Sequence, residues 1–149
     1  MNGILVGVDG SGNSTKALEW AVREAGVRRV PLTALTVRPT VVGYGGYPGS
    51  VPFYDSPDKL TDDAKQAAQL QVDKVLAQLG GTVGLPAVDV RAVDGVAAEE
   101  LLNATSGADM IVVGSRGAGG FTRLLMGSVA AQVTHHAHCP VVVIPADQS

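Results

Sequence analysis

Apolar positions along the chain follow two alternating periods. Five short apolar runs, Gly3–Val8, Pro31–Val37, Ala87–Val93, Met110–Gly114 and Val141–Pro145, read as strands. The second, fourth and fifth are nearly continuous, as expected of interior strands of a sheet covered on both faces. Ala87–Val93 instead alternates, with Val88 and Val90 set against Asp89 and Arg91, which predicts a more exposed edge strand. Between the runs the spacing is helical. Ala17, Leu18, Ala21, Val22 and Ala25 form one stripe, preceded by the cap candidates Ser11, Asn13 and Ser14. A longer helix is predicted over about Pro57 to Leu79, with Leu60, Ala64, Ala68, Val72, Val75, Leu76 and Leu79 on one face. Asp62 and Asp63 stand early in it, where the helix dipole favours negative charge. A third helix spans about Val96–Thr105, and a fourth starts near Gly127 with Val129, Ala130, Val133 and Ala137.

The order is strand then helix, repeated, with a final strand. Such alternation implies right-handed crossovers, and so a three-layer α/β fold with an open parallel five-stranded sheet between helices. There is no internal repeat and no sign of a second domain, so residues 1–149 read as a single domain. Periodicity does not give the strand order. One connection stands out: Pro39 to Ser56 is rich in Pro, Gly and Tyr (Tyr44, Tyr47, Tyr54) and follows neither period. Connections of this length are uncommon, and a mobile flap and a passive excursion are equally compatible with it.

Composition narrows the function classes. Aromatic residues make up 4% of the chain, so the core is built from Val, Leu, Ile and Ala. The 11 Lys and Arg residues are outnumbered by 14 Asp and Glu, giving a net charge of −3 with no basic run. Nucleic-acid binding rests on a basic face, so nucleic acid is not an expected partner, while a small polyanion stays open. Cys139 is the only cysteine, which excludes an internal disulfide and suits a reducing compartment. The opening residues have no basic leader pattern, and no stretch has the 18 consecutive apolar residues that a membrane span requires. The expectation is a soluble cytoplasmic protein with no membrane contact.

The informative segment runs from Gly114 to Ser128, between the fourth strand and the fourth helix. Gly114, Gly117, Gly119, Gly120 and Gly127 crowd this junction. Glycine lets a ligand approach the backbone, and successive N–H groups ahead of a helix N-terminus form an anion-binding concavity. Ser128 adds a hydroxyl there. A tight turn with no ligand is the competing reading. A second polar cluster, Asp9-Gly10-Ser11-Gly12-Asn13-Ser14, follows the first strand. If the first and fourth strands are neighbours, both clusters line one crevice at the carboxyl edge, where open parallel sheets bind ligands. Asp9 is then placed to accept a ribose hydroxyl or to hold a nucleotide-bound Mg²⁺; a turn or cap aspartate is the alternative.

Gly114-x2-Gly117-x9-Gly127-Ser128 resembles the G-x2-G-x9-G-[ST] pattern of the ATP-binding branch of the universal stress protein family. Gly7-Val8-Asp9-Gly10-Ser11 resembles that family's first-strand motif, and His138-Cys139-Pro140-Val141-Val142-Val143 its last strand. The likeness covers essentially the whole chain. It implies a Rossmann-like sheet of the adenine nucleotide alpha hydrolase kind, in the order 3-2-1-4-5. It also implies a homodimer through the last strand, Val141–Pro145, and ATP, with Mg, as ligand. Carried over by position, Gly7, Val8, Asp9 and Leu35 surround adenine and ribose. Gly114, Ser115, Arg116, Gly117, Gly119 and Gly120 wrap ribose and phosphates. Gly127, Ser128, Val129 and Ala130 hold the phosphate tail. Met126 stands where Leu is commoner in the family, a packing change only.

Other chemistries have less support. No Gly-x4-Gly-Lys-[Ser/Thr] motif is present, and the glycine-rich segment contains no lysine, Arg116 and Arg123 being its cations. Efficient phosphoryl transfer therefore lacks its usual parts, and no catalytic residue is assigned. The Ser-Gly-Gly-x-Asp-Ser signature of the ATP pyrophosphatases is also missing after the first strand. His135, His136 and His138 with Cys139 do not make an organised metal set, and the histidines read as helix-end residues facing the dipole. Ser11 and Ser14 lack a His–Asp pairing. Trp20 and Phe121 read as packing residues, with nucleotide stacking the alternative for Phe121. Three functions follow: an ATP-binding regulatory protein of the stress response, a slow ATPase or autophosphorylating protein, and a nucleotide-free dimeric adaptor.

Overall fold

The computed structural model describes residues 3–39, 57–80, 84–116 and 127–146. Five strands alternate with four helices: β1 (Ile4–Gly7), α1 (Gly12–Arg28), β2 (Leu32–Pro39), α2 (Pro57–Leu79), β3 (Val88–Gly95), α3 (Ala97–Thr105), β4 (Met110–Gly114), α4 (Ser128–His136) and β5 (Val141–Ile144). The strands form one parallel sheet in the order β3-β2-β1-β4-β5.

Side chains alternate across this sheet, as the strand pleat requires. Ile4 and Val6 of β1, Leu32 and Ala34 of β2, and Met110 and Val112 of β4 face α1 and α2. There they pack with Leu18, Val22, Val72 and Val75. Leu5, Leu35, Ile111 and Val113 face the other way and pack with Leu101 of α3 and with Ala130 and Val133 of α4. Both faces are therefore dry, which is why β2 and β4 read as continuous apolar runs. β3 is an edge strand, in line with its alternating pattern.

The apolar pattern alone put the fifth run inside the sheet, but it forms the other edge, as the order 3-2-1-4-5 implied by the family resemblance has it. Val142 and Ile144 pack toward the α1–α2 side and Val141 and Val143 toward the α3–α4 side, and all four are half-buried. Apolarity on both faces reports helix cover; it is blind to whether a strand has a neighbour in the hydrogen-bond direction. Ser11 is the N-cap of α1, its side chain accepting from the Ser14 N–H, and α1 ends at Arg29 in the left-handed region (φ 57°). Trp20 packs, partly buried, against the α1–α2 core, as its sequence reading proposed. Among the described residues, no helix is long and apolar enough to cross a membrane.

Candidate functional site

β1 pairs with β2 on one side and with β4 on the other, so the direction of winding reverses between β1 and β4. The segments that leave these two strands, after Gly7 and after Gly114, meet at this reversal on the carboxyl edge of the sheet. Such a switch point opens a crevice that neighbouring helices do not fill.

The first segment is held by short hydrogen bonds. Gly10 takes φ 83°, which a side chain would strain. The Asp9 carboxylate accepts from the Ser11 N–H at 2.9 Å and from the Ser11 hydroxyl at 2.5 Å, so the turn reading of Asp9 is realised. The Asp9 N–H donates to Ser14 Oγ at 3.2 Å. Gln71 of α2, which the sequence did not single out, spans the same turn. Its Nε2 donates to Ser14 Oγ (3.0 Å) and Thr15 Oγ1 (2.9 Å), and its Oε1 accepts from the Gly10 N–H (3.3 Å).

The second segment is anchored at its root. The Ser115 N–H donates to the Ile144 carbonyl (2.8 Å), and Ser115 Oγ accepts from the Ala146 N–H (3.1 Å). The Arg116 N–H donates to Asn13 Oδ1 (2.7 Å), and Asn13 Nδ2 donates to the Ile144 carbonyl (3.1 Å). The Gly127 N–H donates to the Ser115 carbonyl (2.5 Å). The main-chain donors of Ser115, Arg116 and Gly127 are thus engaged within the chain. Asn13, a cap candidate by sequence, is a bridge between α1, the root of this segment and β5, while Ser11 does the capping.

Among the described residues, two polar features at this edge lack partners. Gly127 is the N-cap of α4 and offers no side chain, so the N–H groups of Ser128, Val129 and Ala130 have no helical acceptor. Arg116 Nε is buried without a hydrogen-bond partner. An uncapped helix start carries partial positive charge, and together with a guanidinium it suits an anion.

Gly7, Val8, Asp9, Leu35, Gly114, Ser115, Arg116, Gly127, Ser128, Val129 and Ala130 all come to this edge. Gly7 stands opposite Leu35, and the Val8 N–H donates to the Leu35 carbonyl (3.0 Å). The side chains of Val8 and Leu35 are core, on opposite faces of the sheet. Gly117, Gly119, Gly120, Phe121, Arg123 and Met126 lie outside the described residues, as do Tyr44, Tyr47 and Tyr54 of the long connection.

Elsewhere, His135 and His136 are exposed at the end of α4, and the described residues hold no cluster of three or more His, Cys, Asp or Glu side chains that suits a metal. Cys139 is half-buried against the α3–α4 core, and desolvation pushes its thiol pKa up, the opposite of what a reactive thiolate needs. Arg38 and Thr61 hydrogen-bond the Asp94 carboxylate and hold its pKa below the ordinary value. A depression lined by Ile4, Arg28, Val30 and Asp109 opens at the amino ends of the strands, remote from the switch point.

A model of the universal stress protein family matches residues 1–145. A universal stress protein of Mycolicibacterium smegmatis is 37% identical over 147 residues, covering 97% of this chain and 48% of its own length. One from Mycobacterium tuberculosis is 35% identical over 152 residues, covering 99% of this chain and again 48% of its own. The chain therefore spans about half the length of the curated relatives it matches. Among solved structures, a member of the family from Burkholderia pseudomallei is 29% identical with a TM-score of 0.64, over 97% of this chain and 96% of that one. Two more distant folds were solved with ligands. A universal stress protein of Archaeoglobus fulgidus in complex with dAMP is 23% identical with a TM-score of 0.63, over 97% and 98% of the chains. A universal stress protein in complex with cAMP is 21% identical with a TM-score of 0.66, over 98% of each chain.

Proposed function

The chain belongs to the universal stress protein family, and from that premise we propose that it binds ATP, or a close adenine nucleotide, in the crevice between β1 and β4. The observation that carries this reading is the uncapped start of α4 at the switch point, on the same edge as the partnerless Arg116 Nε. The dAMP and cAMP bound by two relatives of the same fold support an adenine ligand.

In this reading the phosphate tail meets the N–H groups of Ser128, Val129 and Ala130 and the side chain of Arg116. Adenine and ribose lie along Gly7, Val8, Asp9 and Leu35, and Gly117, Gly119 and Gly120 wrap the ribose–phosphate junction. Asp9 is exposed and offers a hard oxygen donor, which suits a nucleotide-bound Mg²⁺. No lysine stands in the glycine-rich segment, so the nucleotide serves as a ligand that selects a state, in a regulatory role, rather than as a substrate turned over quickly. Residues 1–149 act as one domain, in the cytoplasm, and pair with a second copy through the exposed edge of β5.

Thermal melting with added nucleotide tests the proposal. Ligand at a hundredfold excess over Kd stabilises the folded state by about 2.7 kcal/mol, which raises the Tm by roughly 5–10 °C for a domain of this size. The absence of any shift with millimolar ATP, ADP, AMP or cAMP, together with no co-purifying nucleotide by mass spectrometry, would refute it.

A further inference from the structure

Gly114 opens the glycine pattern, and its φ is not positive, so no backbone strain explains the glycine. Its surroundings do. A Cβ added at Gly114 would stand 2.7 Å from Asn13 Cγ and 2.7 Å from Asn13 Oδ1, closer than real side-chain contacts allow. The space beside Gly114 is therefore filled by the chain's own amide group.

That amide touches the site at its root. Asn13 Oδ1 accepts the Arg116 N–H at 2.7 Å, and Nδ2 donates to the Ile144 carbonyl at 3.1 Å. The same carbonyl accepts the Ser115 N–H at 2.8 Å. One side chain from the first turn of α1 thus fixes the main chain where it leaves β4 and ties it to the end of β5. The direction in which Arg116 leaves the sheet depends on that bond, and Arg116 carries the buried Nε without a partner.

We propose that Asn13 is a positioning residue of the nucleotide site: it aims Arg116 at the phosphates, and Gly114 is a glycine in order to seat it. The proposal rests on the nucleotide reading above and adds to it a residue outside the glycine pattern. Because Asn13 acts through Arg116, its effect falls on the phosphates and leaves adenosine binding alone. Because Gly114 serves Asn13, alanine at 114 harms only a chain that still carries Asn13.

Isothermal titration calorimetry with MgATP and with adenosine, on wild type, N13A, G114A, R116A, N13A combined with R116A, and the N13A/G114A double variant, decides the matter, with the ligand-free Tm recorded for each. N13A is expected to weaken MgATP at least tenfold while adenosine affinity stays within about twofold, and R116A to show the same selectivity. In the R116A background, adding N13A is expected to cost little more. G114A is expected to lower both Tm and MgATP affinity, whereas G114A added to N13A changes neither further. Equal losses for ATP and adenosine in N13A would reduce Asn13 to a structural brace and overturn the proposal. Additive losses in the double variant would put the ligand, not Asn13, beside Gly114, and overturn its second half. A wild type that binds neither ligand sinks the nucleotide reading itself, and that outcome is separable because it is read from the wild-type titration alone.

Discussion

The Gly127 N–H donates to the Ser115 carbonyl at 2.5 Å, so both ends of the glycine-rich segment are pinned together at the carboxyl end of β4. Ser115 is buried and is itself bound to β5 through the Ile144 carbonyl and the Ala146 N–H. Ser115, Gly127 and the end of β5 are therefore fixed to one another at this edge.

The first and last glycines of the pattern differ in cause. Gly127 sits at φ −68°, ψ 161°, an extended conformation open to any residue. Gly127→Ala is accordingly expected to leave stability within about 1 kcal/mol of wild type, since alanine at a compatible site costs nothing conformationally. MgATP affinity should nevertheless fall at least tenfold, because the new methyl stands at the mouth of the α4 N-terminus. Chemical denaturation and calorimetry on the same preparation give both numbers. An alanine variant that binds as well as wild type would leave Gly127 with no role in the site.

The sequence carried the layers of this fold well and its cross-connections poorly. The helical stripe over Pro57–Leu79 coincides with α2, and the five apolar runs match the strands to within a residue or two, because burial on a helix or strand face imprints a short local period. Strand order has no such imprint, and 3-2-1-4-5 came only with the family resemblance. Asn13 and Gln71 were illegible in their working roles. Asn13 lies 103 residues from Arg116 and 131 from Ile144, and Gln71 lies 57 from Ser14, so no local spacing encodes these bonds. A polar residue beside the apolar stripe of α2 was the one available signal for Gln71.

Arg38 and Asp94 stand opposite each other in the β2–β3 register and are joined by two hydrogen bonds, at 2.9 and 2.7 Å. Thr61 adds a third to the same carboxylate at 2.9 Å and so ties α2 to the carboxyl ends of both strands. Hydrogen bonds from Arg38 and then Thr61 hold the Asp94 pKa below its ordinary 3.8. A carboxyl whose pKa is lower folded than unfolded contributes stability that is complete above the unfolded value and is lost as the pH falls through the folded one. The stability gap between wild type and Asp94→Asn should therefore stay constant from about pH 7 down to about pH 5 and close below about pH 4. Urea denaturation of both proteins across that range measures it. A gap that persists unchanged at the acid end would mean that the charge on Asp94 is not what the pair relies on.

The edge strand offers a cleaner test of self-association. The Ile111 N–H donates to the Pro140 carbonyl and the Ser115 N–H to the Ile144 carbonyl, in register with Val112 opposite Val142. Alternate residues of a strand turn their main-chain groups to opposite sides, so Pro140, Val142 and Ile144 face β4 while Val141 and Val143 turn theirs outward. An outward N–H is the group that a second copy would use, and proline removes it without touching the β4 ladder. Val143→Pro is expected to give a folded monomer, with a stability loss of about 1–2 kcal/mol from the smaller side chain against the α3–α4 core. Val143→Ala loses comparable packing but keeps the N–H, and should remain dimeric. Sedimentation equilibrium separates the two outcomes. If wild type and Val143→Pro sediment alike, as monomers or as dimers, pairing through the main chain of β5 is excluded.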